Sequence, residues 1–484
     1  MIRLPFLRLA RALSVLLLVL GAWSVSTYAN AAERLPVVFV HGSSGSASQF
    51  ETHAMRFTSN GYPQELLFAY EYDTSVPFTQ NGAQVVAGLD AFIDGVLART
   101  GSTQVNLTAH SLGTAVSTTY LNGFPGGAAK VARYVNIDGR SMPELPGGVP
   151  TLGIWGEWNS GGLYARQPGL TQIGPNPQDN HHFPEKGHTE VATSAEAFAL
   201  MYRFFTGSAP QTTDVVPERP SQLTIAGRAV IFPQNSGFSG ATLQLWRIDE
   251  NSGQRIGLRP VLTQPLDATG AFGPIPVNGR TLYELALVRP DGSVHHFYQP
   301  RFVRSNHFVR LNSSRPGVGL DAVVPKSPNH SVLTLTRQKE FWGDQGHLND
   351  RLEINGAELL TAQISPRRGV TIGVYAYDDG LDGQSDLGKG ELFPFNTITF
   401  ISAGDLFIPA SPNARGVVRL SLRNRGGAER TQLNVPNWPS NTDRISVQFR
   451  DYSQAHYEYD AYRRNQLLCE LKDRLPRANV ECDR

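Results

Sequence analysis

The sequence predicts an α/β domain with a parallel sheet, followed by an all-β region. Strand and helix patterns alternate between residues 32 and 206, which is typical of a parallel sheet covered by helices on both faces. After a Pro/Thr/Ser-rich linker at 207–220, short apolar segments separated by Gly, Pro and Asn indicate β structure. A chain of 484 residues also exceeds one ordinary domain. We therefore expect β domains at 221–312 and 313–452.

The first 31 residues have the pattern of a targeting segment. Arg3, Arg8 and Arg11 precede an apolar run at 12–25, and Ala-Asn-Ala at 29–31 suits a signal peptidase. The apolar run is shorter than the roughly 20 residues that span a bilayer, which favours a cleaved signal peptide over an uncleaved anchor. We therefore expect the mature protein to be secreted or periplasmic.

The periodicity places each element of the α/β domain. Apolar runs predict strands, and amphipathic stretches predict helices. The predicted strands lie at 35–40, 65–72, 131–137 and 148–155, with another ending before Ala109, and the predicted helices lie at 49–60, 81–100, 115–121 and 194–205. Functional groups of such a sheet belong at the carboxyl ends of its strands.

One stretch joins a strand to a helix through Ala109-His110-Ser111-Leu112-Gly113. Strand, small-x-Ser-x-Gly and helix form the nucleophile elbow of α/β-hydrolases. The tight turn lifts the serine hydroxyl above the sheet, beside the amide groups of a helix N-terminus. We therefore expect Ser111 to be a nucleophile.

A second loop follows the first predicted strand and begins His41-Gly42-Ser43. In α/β-hydrolases this position supplies one oxyanion-hole amide, here that of Ser43. Ser43 and Ser44 are alternative nucleophiles on residue type alone, but no elbow surrounds them. We interpret them as loop residues.

A serine nucleophile needs a histidine base and a carboxylate. Among the downstream histidines, His188 immediately precedes the last predicted helix, whereas His181 and His182 have the pattern of surface or weak metal-binding residues. Asp138 and Glu157 end two successive strands, and the spacing leaves both open as the acid.

Several blocks of sequence resemble one known family. These are AHSLGTAVSTTYLN, AAKVARYVNIDG, GHTEVATSAEAFALMYRFFTG, WRIDENSGQR and YDDGLDGQSDL. They are similar to the α/β-hydrolase lipases with a C-terminal β-barrel, the family of the Archaeoglobus fulgidus lipase, and the similarity extends from residue 36 to about 452. The resemblance implies a triad of Ser111, Asp138 and His188, with the amides of Ser43 and Leu112 as the oxyanion hole. It also implies that the β region is associated with lipid substrate.

The chain departs from this family in three places. Ala109 replaces a glycine of the elbow, and Ser43 is small and polar where a large apolar residue would help to line an acyl pocket. The family's lid insertion is missing, because only SVPFTQNGAQ separates Thr74 from the next helix. We therefore expect an open site that accepts short- to medium-chain esters or a bulky polymeric ester.

Two features of the C-terminal half carry weaker signals. The stretch from Asp378 to Asp386 is interpreted as a tight turn, because Gly380 and Lys389 stand where a calcium loop needs ligands. The tail at 453–484 contains Cys469 and Cys482, the only two cysteines, and a disulfide between them is favoured in an oxidising compartment.

The sequence therefore predicts an exported serine carboxylesterase or lipase that acts through an acyl-enzyme and needs no cofactor or metal. Its expected partner is an ester or lipid substrate, with contact to lipid aggregates left open. A net charge of +1 gives no indication of a nucleic-acid partner. Two alternatives remain, namely a polyester or wax hydrolase anchored by the β domains, and a lipid-binding protein with a relic hydrolase domain.

Overall fold

The computed structural model describes residues 34–156, 171–390, 392–425 and 430–452. The predicted signal peptide, the alternative acid Glu157 and the cysteine-containing tail lie outside the described residues. No helix within the described ranges has the length and apolar character needed to cross a bilayer.

A six-stranded parallel sheet forms the centre of the N-terminal part, and it confirms the predicted α/β class. Its strands follow the order β2-β1-β3-β4-β5-β6, and every neighbouring pair is parallel. The bounds are β1 Val37–Val40, β2 Leu67–Tyr70, β3 Val105–His110, β4 Val131–Ile137, β5 Thr151–Gly156 and β6 Asn180–Phe183. Strand β6 was not predicted, because its sequence NHHF lacks an apolar run.

Helices cover both faces of this sheet. They are α1 Glu51–Ser59, α2 Phe78–Thr100, α3 Leu112–Gly123 and α4 Ala195–Thr206. One apolar core contains residues of α2 and α3, and the other contains residues of α1 and α4. The last helix has conventional ends: the Ser194 hydroxyl accepts the N–H of Ala197, and Gly207 adopts the left-handed conformation.

The rest of the described chain is β-rich, as predicted. An eight-stranded sheet has the order β10-β9-β12-β13-β22-β15-β18-β19, and two smaller sheets contain β11-β7-β14 with β8, and β17-β16-β20-β21. The bounds are β7 Leu223–Ile231, β8 Ser236–Gly237, β9 Thr242–Ile248, β10 Leu262–Pro265, β11 Ala271–Val277, β12 Leu282–Val288, β13 Val294–Tyr298, β14 Asn306–Ser313, α5 Leu320–Val323, β15 Leu333–Thr336, β16 Arg351–Ile354, β17 Ala357–Glu358, β18 Gly373–Tyr377, β19 Ile401–Asp405, β20 Val417–Arg423, β21 Arg430–Pro436 and β22 Asp443–Gln448.

The largest sheet includes strands from both predicted β domains. Strand β13 pairs in parallel with β22, with Val294 opposite Asp443. Backbone hydrogen bonds therefore cross the proposed boundary between 312 and 313, and the division into two β domains stays a prediction.

The α/β domain and the β region share a buried interface. Phe308 of β14 contacts Phe39 of β1, with ring centroids 6.0 Å apart. Glu71, whose side chain is 1% exposed, accepts from Arg310 at 2.7 Å and from Arg228 at 2.6 Å. Burial alone would raise the pKa of Glu71, but the two guanidinium groups lower it to about 2. The β region is thus fixed to the α/β domain by both apolar and charged contacts.

Inside the eight-stranded sheet, His296 lies between two carboxylates. Its Nδ1 is 2.6 Å from Glu284 and its Nε2 is 2.8 Å from Asp443. Burial lowers the pKa of His296, but the two carboxylates outweigh that effect and hold the pKa above its usual value of 6.5.

The stretch from Asp378 to Asp386 forms the expected tight turn. The Asp378 carboxylate accepts the N–H groups of Asp382 and Gly383. The Lys389 ammonium contacts Asp379 and Asp405 at 2.9 and 3.0 Å, so a cation of the chain itself pairs with two carboxylates at this loop. Among the residues that the structure describes, no group of three or more His, Cys, Asp or Glu is arranged to hold a metal ion.

Candidate active site

Ser111 lies at a strained turn between β3 and α3. Its backbone has φ 53° and ψ −122°, a conformation that costs a non-glycine residue roughly 1–3 kcal/mol. The surroundings hold it there: the Ser111 N–H donates to the Ile137 carbonyl at 3.0 Å, and the Thr114 hydroxyl donates to the Ser111 carbonyl at 2.6 Å. The structure therefore contains the elbow that the sequence predicts.

The elbow packs closely against the end of β1. A Cβ atom at Gly113 would lie 2.4 Å from the Val40 carbonyl oxygen and 2.5 Å from that of His41, so glycine is required there. Ala109 is fully buried, and its methyl group is accommodated. The departure from glycine at 109 therefore leaves the turn intact.

The structure brings Ser111, His188 and Asp138 together. His188 Nε2 is 2.9 Å from Ser111 Oγ, and His188 Nδ1 donates to Asp138 Oδ2. Asp138 and His188 are 2% and 4% exposed, so the hydrogen bonds between them are shielded from water. A hydroxyl, an imidazole and a carboxylate in this order are the three groups that nucleophilic catalysis by a serine needs.

The acid is held by the ends of two strands. Asp138 follows β4 with a positive φ of 54°, and its N–H donates to the Ile154 carbonyl at 2.7 Å. Its second oxygen, Oδ1, accepts the N–H of Gly156 at 3.2 Å. Both oxygens of the carboxylate are thus occupied, which fixes the direction of the one that faces His188.

The two segments that the sequence assigns to the oxyanion hole both border Ser111. Leu112 is the first residue of α3, so its N–H has no acceptor within the helix. Gly42 packs against the nucleophile, since a Cβ atom there would lie 3.0 Å from Ser111 Cβ. Ser43 follows directly and lines the same cavity as Ser111. Ser44, an alternative nucleophile on residue type, also lines this cavity. The hydroxyl that His188 Nε2 contacts is that of Ser111.

A chain of hydrogen bonds that the sequence did not reveal connects these loops. Gln49 accepts the N–H of Gly42 at 3.2 Å through Oε1, and its Nε2 donates to His110 Nδ1. His110 Nε2 in turn donates to the His188 carbonyl at 2.8 Å. Gln49 and His110 thus connect the oxyanion loop to the histidine loop. No local motif marks them, because the Gln49–His110 and His110–His188 contacts join segments 61 and 78 residues apart.

The other two candidate histidines lie on β6. His182 Nε2 donates to the Thr171 carbonyl at 2.8 Å, and its ring stacks on Trp155. Burial lowers the pKa of His181. Neither histidine is bonded to Ser111 by any contact that the described residues show.

A cavity of about 790 Å³ begins at the candidate triad and extends into the β region. Its wall near the nucleophile contains Ser43, Gln49, His110 and Ser111. Its remaining wall is largely apolar and includes Leu285, Phe297, Leu311, Leu320, Ile398 and Phe400. The β region therefore contributes most of the surface that a substrate bound at Ser111 would contact.

Three family models match consecutive parts of the chain. The model described as Lipase (class 2) matches residues 34–135, the Lipase C-terminal domain matches 221–316, and a further C-terminal domain matches 319–453. By these matches the chain is a carboxylic ester hydrolase. Its domain order is that of a lipase with C-terminal domains like the Archaeoglobus fulgidus lipase, which confirms the resemblance seen in the sequence.

Solved structures give weaker similarities to this chain. A Listeria innocua gene product is 13% identical, with 37% of this chain and 97% of that one covered at a TM-score of 0.28. A cutinase-like protein from Cryptococcus is 16% identical, with 37% and 98% covered at 0.25. Aspergillus fumigatus lipase B is 14% identical, with 38% and 55% covered at 0.25. At these scores the similarities carry no argument of their own.

Proposed function

We propose that this ester hydrolase is a serine lipase that cleaves lipid esters through an acyl-enzyme, with Ser111, His188 and Asp138 as its triad. The hydrogen-bonded contact of Ser111 with His188, at one end of a largely apolar cavity, carries the proposal. A hydroxyl, an imidazole and a carboxylate in this order suffice for acyl transfer.

In the first half of the reaction, Ser111 Oγ attacks the ester carbonyl carbon while His188 Nε2 accepts the hydroxyl proton. Asp138 holds the imidazole in the required tautomer and stabilises the imidazolium. The negative oxygen of the tetrahedral intermediate accepts the N–H groups of Leu112 and Ser43. The C–O bond to the alcohol then breaks, and His188 donates its proton to the departing oxygen.

The second half repeats these steps with water as the nucleophile. His188 Nε2 removes a proton from water, and the resulting hydroxide attacks the acyl-serine carbonyl. The same two amides hold the second oxyanion. Collapse of this intermediate releases the carboxylic acid, and the proton on His188 returns to Ser111.

The cavity favours a long acyl chain. The missing lid led us to expect short- to medium-chain esters, but a lipophilic cavity of 790 Å³ lies in the upper part of the usual range for ligand sites, about 300–1,000 Å³. Side chains of the β region form most of its wall, so the acyl chain would be buried there. This depth suits a flexible chain better than a bulky polymeric ester.

Two exposed apolar side chains of the cavity lining support contact with lipid. Val318 and Val323 both line the cavity and are 53% and 48% exposed. Apolar side chains that are both exposed and part of a substrate cavity support contact with a lipid aggregate. We therefore include interfacial contact in the proposed function.

The experiment is hydrolysis of p-nitrophenyl esters of increasing acyl length by wild type, Ser111→Ala and the control Ser117→Ala. Ser117 lies in α3 and is fully buried. We expect wild type to prefer long acyl groups, Ser111→Ala to be inactive and Ser117→Ala to remain active. Turnover by folded Ser111→Ala would overturn the triad, and a preference for short chains would overturn the assignment of the cavity. Absence of labelling by a fluorophosphonate probe would instead favour the relic-domain alternative.

We also propose that the protein is exported after cleavage near Ala31. Support comes from the basic, apolar and small-residue segments of the N-terminus. N-terminal sequencing of protein recovered from the periplasm or medium should begin shortly after Ala31. A mature chain that retains Met1 would contradict cleavage.

A further inference from the structure

One carboxylate of the β region contacts the backbone of the histidine loop. Glu340 lies between β15 and β16, and it is 1% exposed. Its Oε1 accepts the N–H of Thr189 at 2.6 Å, and its Oε2 accepts the N–H of Glu190 at 2.7 Å. These are the two residues that immediately follow His188.

The N–H groups of Thr189 and Glu190 lie at the start of a turn. The chain after His188 forms a turn, in which Val191 N–H donates to the Gly187 carbonyl and Ala192 N–H to the Thr189 carbonyl, both at 3.1 Å. The first N–H groups of such a turn point away from its own carbonyls, as at the start of a helix. The Glu340 carboxylate accepts two of them and so fixes the backbone that carries the imidazole.

Gly187 permits this approach. A Cβ atom at this position would lie 2.5 Å from Glu340 Oε1. Any larger residue would therefore displace the carboxylate from the amides. The position before His188 therefore requires a glycine because of Glu340, which lies about 150 residues later in the chain.

Glu340 is itself held by a buried charged network. Arg337 and Arg425 both donate to its backbone carbonyl, and Arg337 makes two contacts of 2.9 Å with Asp350. The same network reaches the histidine loop a second time, because Glu190 accepts from Lys339 at 2.9 Å and from Arg425 at 2.7 Å. Burial would raise the pKa of Glu190, but these two cations lower it to about 2.

We propose that Glu340 is a positioning residue, which holds the loop of His188 so that Nε2 meets Ser111 Oγ. This inference rests on the proposed triad and extends it to the β region. The β region then has two roles, since it lines the substrate cavity and completes the geometry of the base. A hydrolase domain without the β region would retain all three triad residues, but its His188 loop would lack the Glu340 contacts.

The test compares Glu340→Gln with Glu358→Gln, using the full chain and a soluble short-chain ester. Glu358→Gln is the control for the same chemical change away from the histidine loop: one oxygen of Glu358, Oε1, accepts the N–H groups of both Leu352 and Leu360, which a glutamine Oε1 can still accept, and its contacts stay within the β region. Each oxygen of Glu340 accepts a different N–H group, and a glutamine would place its NH₂ against one of them, so we expect Glu340→Gln to lower kcat roughly 10- to 100-fold with KM little changed. The rate of fluorophosphonate labelling at Ser111 should fall by the same factor. Glu358→Gln should keep both rates.

A merely structural role would lower the melting temperature of Glu340→Gln and leave kcat of the folded enzyme unchanged, and that result would overturn the proposal. Gly187→Ala gives a second test that keeps every charge, because the added methyl displaces only the end of a flexible side chain. It should also lower kcat, and its effect should largely vanish in the Glu340→Gln background. Full additivity would contradict a shared contact. If Ser111→Ala is inactive while Glu340→Gln and Gly187→Ala are both fully active, the positioning role is rejected and the proposed triad is retained.

Discussion

Replacing Asp138 with asparagine tests how the base is oriented. In the structure, Asp138 Oδ2 accepts from His188 Nδ1 while Oδ1 accepts the Gly156 N–H. A carboxamide offers one acceptor and one donor. Because the Gly156 N–H needs the acceptor, the NH₂ group of the asparagine would face His188 Nδ1.

That orientation disables the base. An NH₂ group opposite Nδ1 requires Nδ1 to accept, so the neutral ring carries its proton on Nε2. Nε2, 2.9 Å from Ser111 Oγ, can then no longer accept the serine proton. We expect kcat for Asp138→Asn to fall on the order of 10⁴-fold. At 1.36 kcal/mol per tenfold, this corresponds to about 5 kcal/mol of transition-state stabilisation.

The assay is steady-state hydrolysis of a soluble p-nitrophenyl ester, with thermal unfolding measured in parallel. Asp378→Asn is the matched control: Asp378 is also 2% exposed and accepts two backbone N–H groups, but it lies in the β region. It should keep its kcat. A folded Asp138→Asn enzyme with kcat within about tenfold of wild type would refute the orientation argument.

Three further predictions concern the cavity, the interface and the pH dependence of stability. Leu320→Trp should reduce hydrolysis of long-chain esters and spare short ones, because Leu320 lines the cavity; an equal loss for both would contradict the assignment. Arg310→Met should lower the free energy of unfolding by up to about 3 kcal/mol, since buried Glu71 loses one partner; a denaturant titration checks this. The stability advantage of wild type over His296→Gln should be full below pH 6.5 and should decline as pH rises through the raised folded-state pKa; an advantage that grows with pH would contradict the sign.

Local signals in the sequence predicted much of the α/β domain. The strand at Val131–Ile137 matches its predicted bounds, because its apolar and β-branched residues are interrupted only by Arg133 and Asn136 and it ends at Asp138-Gly139. The helix after Ser111 begins at Leu112 rather than 115, since the elbow passes directly into it. Strand β6 was missed because its polar residues, which include two histidines, do not show the alternation of a half-buried strand.

Contacts between segments that are distant in the sequence could not be predicted from local patterns. Ser111, Asp138 and His188 could be proposed because each follows or precedes a recognisable element of the same domain. Glu340 lies in another region of the chain and contacts only backbone N–H groups of the histidine loop, so no side-chain pattern marks the pair. The cavity likewise depends on how the β sheets pack over the elbow, and the open site expected from the missing lid stays a prediction.

The acyl-enzyme is the central claim, and trapping it is the most direct measurement. Wild type is mixed with a p-nitrophenyl ester, quenched in acid during the first turnover, digested and examined by mass spectrometry. We expect the acyl mass on the peptide that contains Ser111, together with a burst of p-nitrophenol that Ser111→Ala lacks. An acyl group on another residue, or full turnover with Ser111 unmodified at every time point, would contradict the mechanism.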